Sequence, residues 1–154
     1  MLALAALNPA TALGAANGTD RPVRGTETGI TSVNLATGSG RADGSGQLSH
    51  LGRVTFTSDV TSFRLTGPGT FSFTLTTVVG AANGDKVFAT GTGTGTLTPT
   101  GSEATLALTI TGGTGRFAEA SGTVTSAIST VTVSLVGTTL TTRDTATHKG
   151  QISY

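Results

Sequence analysis

The sequence predicts an all-β protein, most simply a closed antiparallel barrel of about eight strands, with a β-sandwich as the alternative. Thr, Val, Ile, Phe and Gly dominate the chain while helix-forming stretches are scarce, and apolar residues alternate with polar ones. Turn signals separate the alternating stretches at short intervals. Long antiparallel strands with short turns must pair as a sandwich or close on themselves, and about eight strands enclose side chains or one small ligand.

The N-terminal stretch differs from the rest of the chain. Residues 1–16 begin with an apolar run and continue with Pro9 and small residues of the kind that signal peptidase accepts. We therefore predict an export signal remnant in residues 1–16, a single barrel domain in residues 17–154, and a secreted or periplasmic location. The apolar run is shorter than the roughly 20 residues of a membrane span, so we expect no membrane anchor.

The first predicted strands are defined by which positions share a face. In residues 23–35, Glu27 has the same parity as the apolar positions. In the next clear stretch the even positions are predicted to face inward because they are mostly apolar. These even positions are Leu48, His50, Gly52, Val54 and Phe56.

The middle of the chain predicts a hairpin. Phe71, Phe73, Leu75 and Val79 alternate with polar residues, and the Asn-Gly-Asp sequence at 83–85 is a strong turn signal into residues 87–97. The remaining strand candidates are residues 104–110, 123–136 and 140–154, with breaks at the Gly- and Pro-containing segments 67–69, 99–101, 112–113 and 137.

Glycines recur on one face of two strands. Gly91, Gly93 and Gly95 share the parity of apolar neighbours, and a similar series precedes Leu48. Such runs either allow sharp strand bending at a barrel corner or leave room inside for a ligand, and on the second interpretation Gly93 lines a cavity.

The segment at 110–122, Ile-Thr-Gly-Gly-Thr-Gly-Arg-Phe-Ala-Glu-Ala-Ser-Gly, resembles the pattern of dirigent proteins and allene oxide cyclase-like barrels. The resemblance covers about a dozen residues closely and the strand order over most of residues 23–154. It implies an eight-stranded, often trimeric barrel with an apolar cavity. In plants such barrels steer radical coupling or cyclise a reactive lipid epoxide. Independently of the family, Phe117 is placed to plug one end of the core.

Few ionisable residues fall on predicted inward faces. His50, Glu27 and Asp144 are the candidate acid/base residues, since a His near a carboxylate in an apolar chamber suits proton transfer. Asp144 and His148 lie about 13 Å apart along one strand, so any partner must come from across the sheet. Each of these residues could instead be a rim residue or a hydrogen-bonded core residue. The candidate ligand-binding residues are His50, Phe56, Phe73, Gly93 and His148.

Composition and motif spacing argue against several classes of function. The net charge is +1 with scattered basic residues, which disfavours nucleic-acid binding, and the absence of Cys excludes thiol chemistry. No motif has metal-ligand, phosphate-loop or nucleophile-elbow spacing, so we expect neither metal nor cofactor. Three functions remain: binding of a small apolar molecule, a cofactor-free cyclase or isomerase, and a structural or interaction protein. The first ranks highest, and a homo-oligomer is compatible with the family resemblance.

Overall fold

The protein forms a closed barrel of eight antiparallel strands in a computed structural model that describes residues 18–154. Each strand pairs with the next in the sequence, and the last pairs with the first. The strands are β1 (Asp20–Asn34), β2 (Ser39–Leu48), β3 (Gly52–Gly67), β4 (Thr70–Gly80), β5 (Lys86–Leu97), β6 (Gly101–Gly113), β7 (Ser121–Val136) and β8 (Thr139–Ser153).

The predicted all-β class, the closed barrel and the number of strands are confirmed. The predicted hairpin around residues 83–85 is also confirmed, because β4 pairs with β5 from Thr70↔Thr96 to Gly80↔Lys86. The one helical element described is a short 3₁₀ turn, Gly115–Phe117, between β6 and β7. No helix in residues 18–154 is long and apolar enough to cross a membrane. The predicted export signal at 1–16 lies outside the described residues.

One end of the barrel is closed by its own connections, and we call it the plugged end. Leu51, Ala81 and Ala120 fold inward from three separate connections and are buried. Phe117 is fully buried and its ring meets that of Tyr154 edge-on, with centroids 4.7 Å apart. The predicted role of Phe117 as a plug therefore agrees with its position in the core. The other end, which we call the mouth, is formed by the β1–β2, β3–β4, β5–β6 and β7–β8 turns.

The prediction that His50 points into the barrel is wrong. β2 ends at Leu48 and β3 starts at Gly52, so His50 lies in the intervening turn, where it has a φ of 66° and an exposed side chain. Parity that holds along one strand does not continue through a turn, and the neighbour Leu51 is buried instead. What His50 contributes to the fold is its carbonyl oxygen, which accepts a 2.6 Å hydrogen bond from the Arg116 guanidinium.

The inward-facing glycines make room for large side chains on adjacent strands. A Cβ atom on Gly93 would lie 2.2 Å from the Phe73 ring, and one on Gly95 would lie 2.4 Å from the Phe71 ring. In the same way, a Cβ on Gly44 would lie 2.6 Å from the Phe56 ring. The rings fill the space that the glycines leave, so the interpretation of Gly93 as a ligand-binding residue on an open cavity wall is wrong.

Candidate functional site

The barrel encloses a cavity of about 260 Å³ that is lined by residues from all eight strands. Its lining extends from Leu51 and Ile152 at the plugged end to Leu97 and Leu140 at the mouth. Ligand sites for drug-sized molecules typically measure roughly 300–1,000 Å³. The cavity, at about 260 Å³, falls just below this range, so the interior is not filled by side chains and has room for a molecule smaller than a typical drug.

One side of the cavity is aromatic and aliphatic. Phe63 and Phe71 have ring centroids 5.2 Å apart, and Phe71 and Phe73 have centroids 6.1 Å apart. Phe56 and Leu75 extend the same surface, and all five residues line the cavity. The side formed by β3 and β4 therefore offers a wall for the apolar body of a ligand.

The opposite side, where β7, β8 and β1 are adjacent, carries a chain of three polar side chains. The His148 Nε2 and Glu27 Oε2 atoms are 2.9 Å apart, and Nδ1 of the same ring is 2.8 Å from the Ser126 hydroxyl oxygen. Ser126 is directly opposite His148 in the β7–β8 register, whereas Glu27 approaches diagonally because Gly25 is the residue opposite His148 on β1. We call Glu27, His148 and Ser126 the polar strip.

Two atoms of the polar strip have no directed hydrogen bond. Glu27 Oε1 is buried without a hydrogen-bond partner. The Glu27 carboxylate lies close to His148 Nε2 but off the direction of the ring N–H, so Nε2 also lacks a directed hydrogen bond. Only 10% of the Glu27 side chain and 7% of the His148 side chain are exposed. Buried polar groups are normally hydrogen-bonded, so this carboxylate has unused capacity to accept a proton donor in the cavity.

The third predicted acid/base residue, Asp144, lines the cavity nearer the mouth but is already satisfied. Its carboxylate accepts hydrogen bonds from the Thr31 hydroxyl on β1 and, at 2.6 Å, from the Thr142 hydroxyl on its own strand. These contacts use both oxygens of Asp144, whereas Glu27 Oε1 has no hydrogen-bond partner.

The structure brings five of the seven predicted site residues to the cavity. Glu27, Phe56, Phe73, Asp144 and His148 line it. His50 does not, because it lies in an exposed turn, and Gly93 does not, because the Phe73 ring covers it. The expectation that a partner reaches His148 from across the sheet agrees with the geometry, since both Glu27 and Ser126 come from neighbouring strands.

Ser126, which is fully buried in the polar strip, was not among the predicted site residues. Its signal was its parity, since Ser126 falls between Val124 and Ile128, which line the same cavity. The Ser–His–Glu chain is not arranged for acyl transfer. That chemistry needs backbone N–H groups aimed at an oxyanion, and those beside Ser126 belong to strands paired on both sides.

In residues 18–154 no three His, Cys, Asp or Glu side chains are grouped so as to hold a metal ion. Comparison with protein-family models, with curated proteins and with solved structures finds no match to this chain. The resemblance to allene oxide cyclase-like and dirigent barrels therefore stays a prediction from the 110–122 segment. The candidate site has to be interpreted from its own geometry.

Proposed function

We propose that the barrel binds a small, mostly apolar molecule that carries one hydrogen-bond donor. The observation that carries this proposal is the buried, unpartnered Glu27 Oε1 in a cavity whose opposite wall is aromatic. The aromatic wall of β3 and β4 holds the apolar body of the ligand, and the carboxylate accepts the donor. A hydrogen bond to a charged group contributes about 1.5–3 kcal/mol, enough to orient a ligand of this size.

Two naphthalenes that differ at a single group test this proposal. 2-Naphthol donates a hydrogen bond through its hydroxyl group, whereas 2-methoxynaphthalene has the same ring system and cannot donate. Titration followed by ligand fluorescence is expected to show at least roughly tenfold tighter binding of 2-naphthol. Glu27→Met is expected to remove this preference while leaving the binding of 2-methoxynaphthalene within about twofold.

A cavity-filling variant and its control locate the binding. Ala146 lines the cavity, and Ala146→Leu is expected to weaken both naphthalenes. Ala127 is exposed on the outer surface, so Ala127→Leu serves as the matched control and should leave the affinity for both naphthalenes unchanged. Equal effects of the two substitutions, or no binding of either naphthalene, would contradict a ligand site inside the barrel.

A second candidate function is a cofactor-free isomerase or cyclase, favoured by the imidazole that lies beside the carboxylate. His148 Nε2 is 2.9 Å from Glu27 Oε2, so Glu27 and His148 are two adjacent groups that can accept a proton from substrate. Hydrogen–deuterium exchange at an acidic carbon of the bound ligand, measured by NMR, tests this. Exchange that needs both Glu27 and His148 supports catalysis. Exchange at the same rate as in the free ligand contradicts catalysis and supports binding without turnover.

A further inference from the structure

The mouth of the barrel carries one exposed leucine beside each of its four turns. Three of them are the last inward-parity positions of β3, β5 and β7, if the bulges in β3 and β7 are taken into account, and the fourth directly follows β1. Their exposed fractions lie between 43% and 65%. We call these four residues the leucine collar: Leu35, Leu65, Leu97 and Leu135.

The opposite end shows that this exposure is not a general property of the turns. There, Leu51, Ala81, Phe117 and Ala120 come from equivalent connections, and all four are buried against the core. Apolar side chains therefore close the plugged end of the barrel, whereas those at the mouth are exposed to solvent.

The connections at the two ends of the barrel also differ in their charged residues. Residues 34–39, 65–70, 97–102 and 135–140, which span the four turns of the mouth and the strand ends beside them, contain no Asp, Glu, Lys, Arg or His. The three connections of the plugged end carry His50, Asp85, Arg116 and Glu119. The chain has nine basic and eight acidic residues, and those nearest these turns, Arg64 and Glu103, lie in the adjoining strands.

The last part of β7, which includes Leu135, carries further exposed apolar side chains. Val131, Val133 and Val136 are each more than half exposed. Contiguous exposed apolar patches on soluble proteins mark contact surfaces for proteins, membranes or ligands. The collar borders the opening of the cavity, since Leu97 belongs both to the collar and to the cavity lining.

We propose that the leucine collar docks on an uncharged lipid surface, with the mouth of the cavity against the lipid. Recognition of anionic lipid uses clustered Lys and Arg, and the four turns have none. Four separate strand ends, each presenting one leucine, can insert into a fluid surface without the matched shape that a rigid partner requires. Docking in this orientation lets an apolar ligand pass between lipid and cavity without crossing water.

This inference goes beyond the proposed binding function and does not depend on it. Docking requires only the collar, whereas binding of 2-naphthol requires the cavity and Glu27. Leu65 and Leu135 belong to the collar and do not line the cavity. The variant Leu65→Ser/Leu135→Ser therefore separates the two properties, and it is expected to bind 2-naphthol as the unsubstituted protein does.

Flotation with phosphatidylcholine vesicles tests the docking. The unsubstituted protein is expected to float with the vesicles, and the double variant is expected to lose roughly five- to tenfold in partitioning for each leucine. The matched control is Val78→Ser/Phe88→Ser, which removes two exposed apolar side chains from the outer wall near the plugged end. The control should float normally, and phosphatidylglycerol or added salt should change little.

The absence of Cys allows an independent measurement. A single Cys introduced at Leu65 and labelled with an environment-sensitive fluorophore is expected to shift to the blue on adding phosphatidylcholine vesicles, whereas a label at Val78 is not. Lack of flotation together with an unshifted Leu65 label would overturn the proposal, and so would equal losses in both double variants. Sedimentation equilibrium showing a dimer that only the collar variant dissociates would assign the collar to contact with a second copy instead.

Discussion

The Glu27 carboxylate and the His148 imidazole meet 2.9 Å apart inside the barrel, although β1 and β8 lie at opposite ends of the chain. A glycine on β2 leaves room for the acid, since a Cβ on Gly46 would lie 2.7 Å from Glu27 Cγ. The buried acid–imidazole pair thus depends on barrel closure, which pairs β1 with β8, and on a glycine in the strand on the other side of β1.

The first prediction is that the Glu27–His148 pair does not raise the free energy of unfolding of the protein. Removing one member of a buried polar pair leaves the other without its partner and typically costs about 1–3 kcal/mol, or about 3–5 kcal/mol for an ion pair, while replacing both by apolar residues of similar size is often neutral or stabilising. We expect His148→Leu to lower the free energy of unfolding by about 3 kcal/mol. We expect Glu27→Met/His148→Leu to be at least as stable as the unsubstituted protein, measured by urea unfolding with circular dichroism.

The exposed Glu103, which accepts a hydrogen bond from Ser129 on the outer wall, supplies the control. Glu103→Met should change the free energy of unfolding by less than about 0.5 kcal/mol. If the double variant lost as much stability as His148→Leu alone, or more, the pair would stabilise the fold and the prediction would be wrong.

A second prediction concerns the packing of Phe73 over Gly93. A methyl group at position 93 would lie 2.2 Å from the Phe73 ring, and overpacking of a core typically costs about 1–3 kcal/mol. Gly93→Ala should therefore lower the urea midpoint, and adding Phe73→Leu should restore part of the loss because the ring is gone. Failure of the second substitution to rescue the first would place the strain in the backbone of β5 rather than at the ring.

Alternation along the sequence was enough to predict most of the cavity. Glu27, Phe56, Phe73, Asp144 and His148 were all assigned inward from parity with apolar neighbours, and each lines the cavity. Alternation is informative in this chain because the barrel has a mostly apolar inner face and a solvent-facing outer face, and successive side chains of each strand point to one and then the other. The breaks at glycine and proline likewise marked where strands end.

Alternation along the sequence gives a wrong side-chain direction where a turn interrupts a strand. It also cannot predict contacts between residues on different strands. His50 was assigned inward because residues 48–56 look like one strand, but a turn with a positive φ divides them. Gly93 was misinterpreted because the residue that fills its space, Phe73, belongs to another strand. The contact between Glu27 and His148 depends on the register of the closing strand pair, which one-strand patterns do not contain.

A third prediction concerns acid sensitivity on the outer wall. A 2.9 Å hydrogen bond from the Arg41 guanidinium, and after it one of 2.8 Å from the Thr57 hydroxyl, hold the pKa of Asp43 below its ordinary value of 3.8. A carboxyl with a lowered pKa in the folded state stabilises the protein above pH 3.8, and this contribution is lost as the pH falls through the lower value. The contribution is small because both side chains are more than half exposed.

NMR titration of the Asp43 carboxyl measures this directly. Its midpoint is expected below 3.8 in the unsubstituted protein and closer to 3.8 in Arg41→Gln. Arg64→Gln is the control, since Arg64 donates to Ser62 rather than to a carboxylate. A midpoint that Arg41→Gln leaves unmoved would show that the hydrogen bond from Arg41 does not hold the carboxylate in solution.

The last prediction is that the two ends of the barrel contribute unequally to stability. Phe117 is fully buried, packs against Tyr154 and lies beneath the Arg116 guanidinium, so truncation removes a complete set of contacts. Phe117→Ala should lower the free energy of unfolding by about 3–5 kcal/mol. Leu65 at the mouth is 65% exposed, and Leu65→Ala should cost less than about 1 kcal/mol. Similar losses in urea unfolding would show that the mouth is packed in solution, and the leucine collar would then be part of the core rather than a surface.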